Sequence, residues 1–122
     1  MKAALFFAIC VSSVVALQQD SKPRLPYGSG NDYLAVCGPV DEKQDLSSTE
    51  LKDFIACVSY LKGIHDGVEE ATDKKPYCAP GEVTYHQAGR VLLKYMRENP
   101  ARLHLPVATL YIMALKDAFP CK

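Results

Sequence analysis

The chain has 122 residues, 14 basic and 14 acidic side chains, and 48% hydrophobic content. That length suits a single domain, and a net charge of zero gives no electrostatic case for nucleic acid or an anionic membrane surface as partner. Beyond the N-terminus no segment approaches the ~20 apolar residues that a membrane-spanning helix needs.

Residues 1–16 read as a secretory signal. Lys2 gives a short positive start, Ala3 to Val11 are almost uninterrupted apolar residues, and Val14-Val15-Ala16 supplies the small-residue exit. Cleavage is expected after Ala16, giving an exported product with no membrane insertion. Cys10 raises a lipoprotein alternative, but Phe7-Ala8-Ile9 lacks the small residue expected beside a lipidated cysteine. Removing Lys2 leaves the product near neutral. Of the five cysteines, Cys10 leaves with the signal. Cys37, Cys57, Cys78 and Cys121 remain, an even set that in a small exported chain implies a disulfide framework. No C-x-x-C pair is present, which argues against a redox motif or a zinc ribbon.

Residues 17–30 read as a disordered tail, rich in polar residues, then Pro23, Pro26, Gly28 and Gly30. The ordered domain is expected over 31–122. Asn31 is the expected N-cap of a short first helix carrying Tyr33, Leu34 and Val36, stopped by Gly38-Pro39. A polar loop, Asp41 to Asp45, follows. Ser47 and Glu50 then form a capping box that opens a long second helix to about Thr72. Its apolar residues Leu51, Phe54, Ile55, Val58, Leu61, Ile64 and Val68 recur at three- and four-residue spacing, predicting one buried stripe. Gly63 and Gly67 inside it each cost ~1 kcal/mol relative to alanine.

Asp73 to Val83 is a second loop. Thr84 and Gln87 are expected to form another capping box, opening a third helix to about Glu98 with Ala88, Val91, Leu92, Tyr95 and Met96 on its apolar side. Arg90, Lys94 and Arg97 fall opposite, and read as a solvated face. Asn99-Pro100 breaks the helix, and Pro100 can start one further turn through Leu103. Pro106 leads a fourth helix to about Phe119, apolar nearly all round and therefore expected in the middle of the domain. No strand signals appear. The fold class is all-α, a small disulfide-bonded bundle of about four helices.

The third and fourth helices have similar lengths and a short connection, so they should run antiparallel. That returns Cys121 to the level of Cys78, just before the third helix. Cys78–Cys121 and Cys37–Cys57 are the expected bridges among three possible connectivities.

Candidates for chemistry are sparse. His65, His86 and His104 share no ligand spacing, and the cysteines are committed to bridges, so no metal or other cofactor is expected. There is no nucleophile elbow, glycine-rich phosphate loop or paired-carboxylate context, and the reading is a binding protein and not an enzyme. At about 100° per residue, Ala56, Ser59, Gly63 and Gly67 fall together on the second helix, nearly opposite its apolar stripe. Such a face admits close approach of another backbone, either from the same chain or from a partner or second copy.

Several motifs together resemble one family. Ser29-Gly30-Asn31-Asp32-Tyr33-Leu34 with Cys37, Cys57-Val58-Ser59-Tyr60-Leu61-Lys62-Gly63, and Tyr77-Cys78-Ala79-Pro80-Gly81-Glu82-Val83-Thr84 are similar to blocks of the Rap/Tai immunity proteins of type VI secretion. So is the stretch from Val91 through Lys94-Tyr95, Asn99-Pro100 and Leu103-His104-Leu105-Pro106 to Ala118-Phe119-Pro120-Cys121. The resemblance implies an all-helical, disulfide-bonded periplasmic protein, often a homodimer, that occludes the active site of an injected peptidoglycan amidase toxin. His65-Asp66-Gly67 departs from the small-residue run expected there. The shared motifs are caps, turns and cysteines, which carry fold, so the partner surface must be chosen on other grounds. The polar and aromatic residues on cross-linked loops are the candidates: Asp41, Glu42 and Asp45 in the first loop, Asp73, Lys74, Lys75 and Tyr77 in the second. The competing reading is a small periplasmic structural or chaperone-like protein on the same scaffold with no toxin partner, which the absence of a neighbouring toxin gene would favour.

Overall fold

The computed structural model describes residues 25–122. The expected signal, Cys10 and the tail up to residue 24 lie outside the described residues. Four α-helices follow in order: α1 (Gly30–Asp41), α2 (Ser48–Ala71), α3 (Tyr85–Glu98) and α4 (Val107–Ala118), with a 3-10 turn at Pro100–Arg102 before the last. The fold is all-α.

The start of α1 differs from the sequence expectation. Ser29, not Asn31, is its cap. The Asp32 backbone N–H donates to Ser29 Oγ at 3.4 Å, and the Ser29 N–H donates to the Asp32 carboxylate at 3.1 Å. Asn31 has Leu34 three positions on and cannot form this reciprocal pair. Nor is the preceding stretch a free tail to its end. The Val107 N–H donates to the Gly28 carbonyl, the Gly30 N–H to that of Leu105 and the Asn31 N–H to that of Leu103, each at 3.0 Å. Ser29 and Pro106 form an isolated antiparallel bridge. The connector before α4 has backbone groups to satisfy, and residues 28–31 satisfy them.

α1 also continues through Gly38-Pro39, where a stop was expected. Pro39 falls in the final turn, so the ladder loses one N–H, while buried Val40 and the Cys37–Cys57 bond hold that turn in place.

α2 is entered by the expected Ser47–Glu50 box. Glu50 accepts from Lys43 as well as from the Ser47 backbone, and these bonds hold its carboxyl down at about 2. The buried side of α2 is narrower than the predicted stripe. Cys57 and Leu61 are buried, whereas Leu51 and Ile55 are 48% and 55% exposed. The cause is the bridge: Cys57 must face α1, and that rotation carries Leu51 and Ile55 to the outside.

α3 is capped by Thr84, whose Oγ1 accepts from the Gln87 N–H at 3.1 Å. The reciprocal bond from the Gln87 side chain is absent, so the cap is half of the expected box. α1 and α3 each pack against the other three helices, whereas α4 leans chiefly on α3. The predicted central place of α4 is therefore not observed. Its Ala108, Thr109, Lys116, Asp117 and Ala118 are exposed, because much of its apolar count comes from small residues that bury little area. The core joins Leu92, Leu93 and Met96 of α3 to Leu110, Tyr111 and Leu115 of α4, Tyr33 and Val36 of α1, and Leu61 of α2. Each large apolar side chain so buried contributes ~1.5–3 kcal/mol.

Both expected disulfides form, with Cα–Cα distances of 5.9 Å for Cys37–Cys57 and 4.9 Å for Cys78–Cys121. The Cys78 N–H also donates to the Phe119 carbonyl at 2.9 Å, so the loop before α3 is tied twice to the end of α4.

Candidate functional site

The two expected partner loops both abut the start of α3. In the first, Asp41 turns inward. Its carboxylate is 8% exposed and lies 3.4 Å from His86 Nε2 and 3.6 Å from Arg90 Nε. Asp41 is thus a clamp between α1 and α3, and the outward groups of that loop are Glu42 and Asp45. Glu42 stands 4.0 Å from Arg97, and Lys94 pairs with Glu98 at 3.7 Å. The cations of α3 therefore each face a carboxylate, and the surface there is mixed in charge.

In the second loop, Asp73, Lys74 and Lys75 are exposed, with Lys75 paired to Glu69. Tyr77 is not a surface group. It is 2% exposed and forms the floor of a cleft of about 400 Å³. Its ring meets Tyr111 edge-on at 6.1 Å between centroids. Both hydroxyls reach His65 Nδ1, from Tyr111 at 3.2 Å and from Tyr77 at 3.4 Å. Burial pushes both phenols above the usual tyrosine range, Tyr111 furthest. His65 is in turn edge-on to Tyr85 at 5.3 Å. Apolar Ala79, Val83 and Leu115 complete the walls with Glu69, Lys75 and Thr84. This cleft was not read from the sequence. Its members come from α2, the loop, α3 and α4, and the one local signal was the spacing of His65 and Glu69 on a single helical face.

The small-residue face of α2 stays open. Ser59, Gly63 and Gly67 are exposed and Ala56 is half-buried. A Cβ built at Gly63 or Gly67 meets nothing within 4 Å, so no element among the described residues packs there. Tyr27, Tyr60, Ile64 and Ala108 border it as an open groove with Ser59 and Gly63. Tyr27 lies edge-on to Tyr60, 4.8 Å between centroids.

His104 acts locally, its Nδ1 donating to the Ala101 carbonyl at 3.1 Å. Among the described residues no group of three or more His, Cys, Asp or Glu side chains is placed to hold a metal ion, and no helix is long and apolar enough to cross a membrane.

A family model described as Rap1a immunity proteins matches residues 29–121. No curated protein and no solved structure shows a significant match.

Proposed function

The chain belongs to the Rap1a immunity protein family, and from that premise we propose that it is exported to the periplasm, where it binds a type VI secreted peptidoglycan amidase and covers its active site. The observation that carries this reading is the construction of the loop between α2 and α3. Asp73, Lys74 and Lys75 stand exposed on a segment anchored by buried Tyr77, the Cys78–Cys121 bond and the Cys78 N–H bond to Phe119. A loop ordered before binding loses less conformational entropy on docking than a free one. Glu42 and Asp45, exposed on the loop after α1, with Glu42 4.0 Å from Arg97 in the last turn of α3, are a second contact area in the same reading. An inhibitor that works by covering a cleft needs no catalytic group of its own.

The open face of α2 at Ala56, Ser59, Gly63 and Gly67 fits a second copy of the chain in the same reading, and sedimentation of the purified protein measures that directly.

The test is co-purification from the periplasm followed by an assay of peptidoglycan hydrolysis by the captured amidase. The protein should abolish hydrolysis, and Lys74→Glu with Lys75→Glu should weaken association by about tenfold or more. Capture of no amidase, together with unchanged sister-cell killing after deletion, overturns the proposal in favour of a structural role on the same scaffold.

A further inference from the structure

The two disulfides sit in different surroundings. Cys37 and Cys57 belong to the hydrophobic core cluster, so a thiolate reaches them only if α1 and α2 part. Cys78 and Cys121 are exposed and lie outside that cluster. Nor does α4 need their bond to keep its place. Its Leu110, Tyr111 and Leu115 share the core with Leu92, Leu93 and Met96 of α3. The Cys78–Cys121 bond can therefore open locally, with the bundle intact.

Its two sulfurs are not equivalent. Cys78 follows Tyr77, which is 2% exposed, and precedes half-buried Ala79. Cys121 stands between exposed Pro120 and exposed Lys122. Access helps decide which sulfur of a disulfide is attacked, and here the flanks are open on the Cys121 side alone.

The bond also holds the loop between α2 and α3, which carries Asp73, Lys74 and Lys75. Of that loop's three anchors, two are at Cys78: the disulfide, and the N–H bond to the Phe119 carbonyl at 2.9 Å. The third is buried Tyr77, packed on Tyr111. With the disulfide open, one hydrogen bond on an exposed residue is left to hold the stretch after Tyr77.

We propose that the Cys78–Cys121 bond is a thiol-operated latch on this loop, opened by an exported protein dithiol that attacks Cys121 Sγ. The attacking thiolate bonds to Cys121 Sγ as the bond to Cys78 breaks, and Cys78 leaves as a thiolate that takes up a proton. The reductant's second thiolate then attacks its own partner sulfur in the mixed disulfide, and Cys121 leaves and is protonated in turn. The dithiol becomes a disulfide and the latch becomes two thiols. Opening loosens residues 78–83 while the helices stay folded. The regulatory meaning rests on the export and partner-binding reading above, but the latch is testable without the partner.

The experiment uses a C-x-x-C dithiol protein whose second cysteine is replaced by serine, so that the mixed disulfide is trapped. Peptide mapping should find the adduct on Cys121. In protein opened by the intact dithiol, circular dichroism should keep its helical signal. Amide exchange at Cys78 and Val83 should quicken by about tenfold, with Leu92 unchanged. The Cys78→Ser, Cys121→Ser double variant should reproduce the quickened exchange without any reductant. An adduct on Cys78, equal trapping at Cys37 or Cys57, loss of helix on opening, or unchanged exchange overturns the proposal. Where the amidase is captured, the opened form should bind it about three- to tenfold more weakly, and equal affinity overturns the regulatory role. Capture of no amidase by either form counts against the proposed function, with the adduct and exchange results still deciding the latch.

Discussion

Gly30 packs against Leu103 so closely that a Cβ at position 30 would lie 3.1 Å from the Leu103 carbonyl oxygen and collide with the Leu110 side chain. Alanine raises helix propensity, but here the methyl has no room. Gly30→Ala should therefore destabilise the protein by ~1–3 kcal/mol, read as a lower urea midpoint with unchanged slope. A neutral or stabilising result would mean that the contact between the α1 start and the connector is looser than described.

Gly63 is the opposite case. Nothing lies within 4 Å of a Cβ there, so Gly63→Ala should stabilise α2 by ~1 kcal/mol. Thermal unfolding measures the gain. The same variant tests whether the α2 face is used in association, because self-association should weaken although the fold is firmer.

Asp41→Asn removes a carboxylate shared by His86 and Arg90. Both partner side chains are about half exposed and screened by solvent, so the expected loss is only ~1 kcal/mol, shrinking further in high salt. Partner affinity should change little, because Asp41 faces α3, whereas Glu42→Lys and Asp45→Lys should lower it. Parallel denaturation and binding measurements separate the two roles.

The two bridges should differ in how readily they open. Cys37 and Cys57 are 2% and 5% exposed, while Cys78 and Cys121 both lie at the surface. Graded dithiol with differential alkylation and mass spectrometry should label Cys78 and Cys121 first. Chain-closure entropy at sequence separations of 43 and 20 gives ~4 kcal/mol for Cys78–Cys121 and ~3 kcal/mol for Cys37–Cys57. The more accessible bridge therefore also constrains the unfolded chain more.

Glu50 gives an acid signature. Its carboxyl is lowered from 4.5 to about 2 by Lys43 first and by the Ser47 cap next. A depressed carboxylate contributes stability that is full above its unfolded value and is lost as pH falls through its folded value. Unfolding midpoints measured from pH ~5 to ~2 should fall, and Glu50→Gln should flatten that decline. An equal slope in the variant would assign the acid sensitivity to other carboxylates.

What the sequence made legible was local or covalent. The Ser47–Glu50 cap, the helix order and the cysteine pairs follow from short spacings and helix lengths. Ser29 was missed as a cap because the prolines and glycines before it read as a tail; the bonds that order residues 28–31 come from Leu103 to Val107. Leu51 and Ile55 were placed inside because periodicity alone cannot see the rotation that the Cys57 bridge imposes. The His65 cleft was hidden because its tyrosines lie 12 and 46 positions away from the histidine. Tyr77, adjacent to a cysteine in a loop, gave no sign that it would be a floor.

The stitching of Gly28–Asn31 to Leu103–Val107 sets an order of events for biogenesis. A polypeptide that emerges N-terminus first, from a ribosome or through a translocation channel, holds its opening helix without these backbone partners until Leu103 to Val107 arrive. Cys121 comes later still, so the loop before α3 cannot be locked until Cys121 itself has emerged. A chain that stops before Cys121 should therefore oxidise at Cys37 and Cys57 but leave Cys78 without its partner.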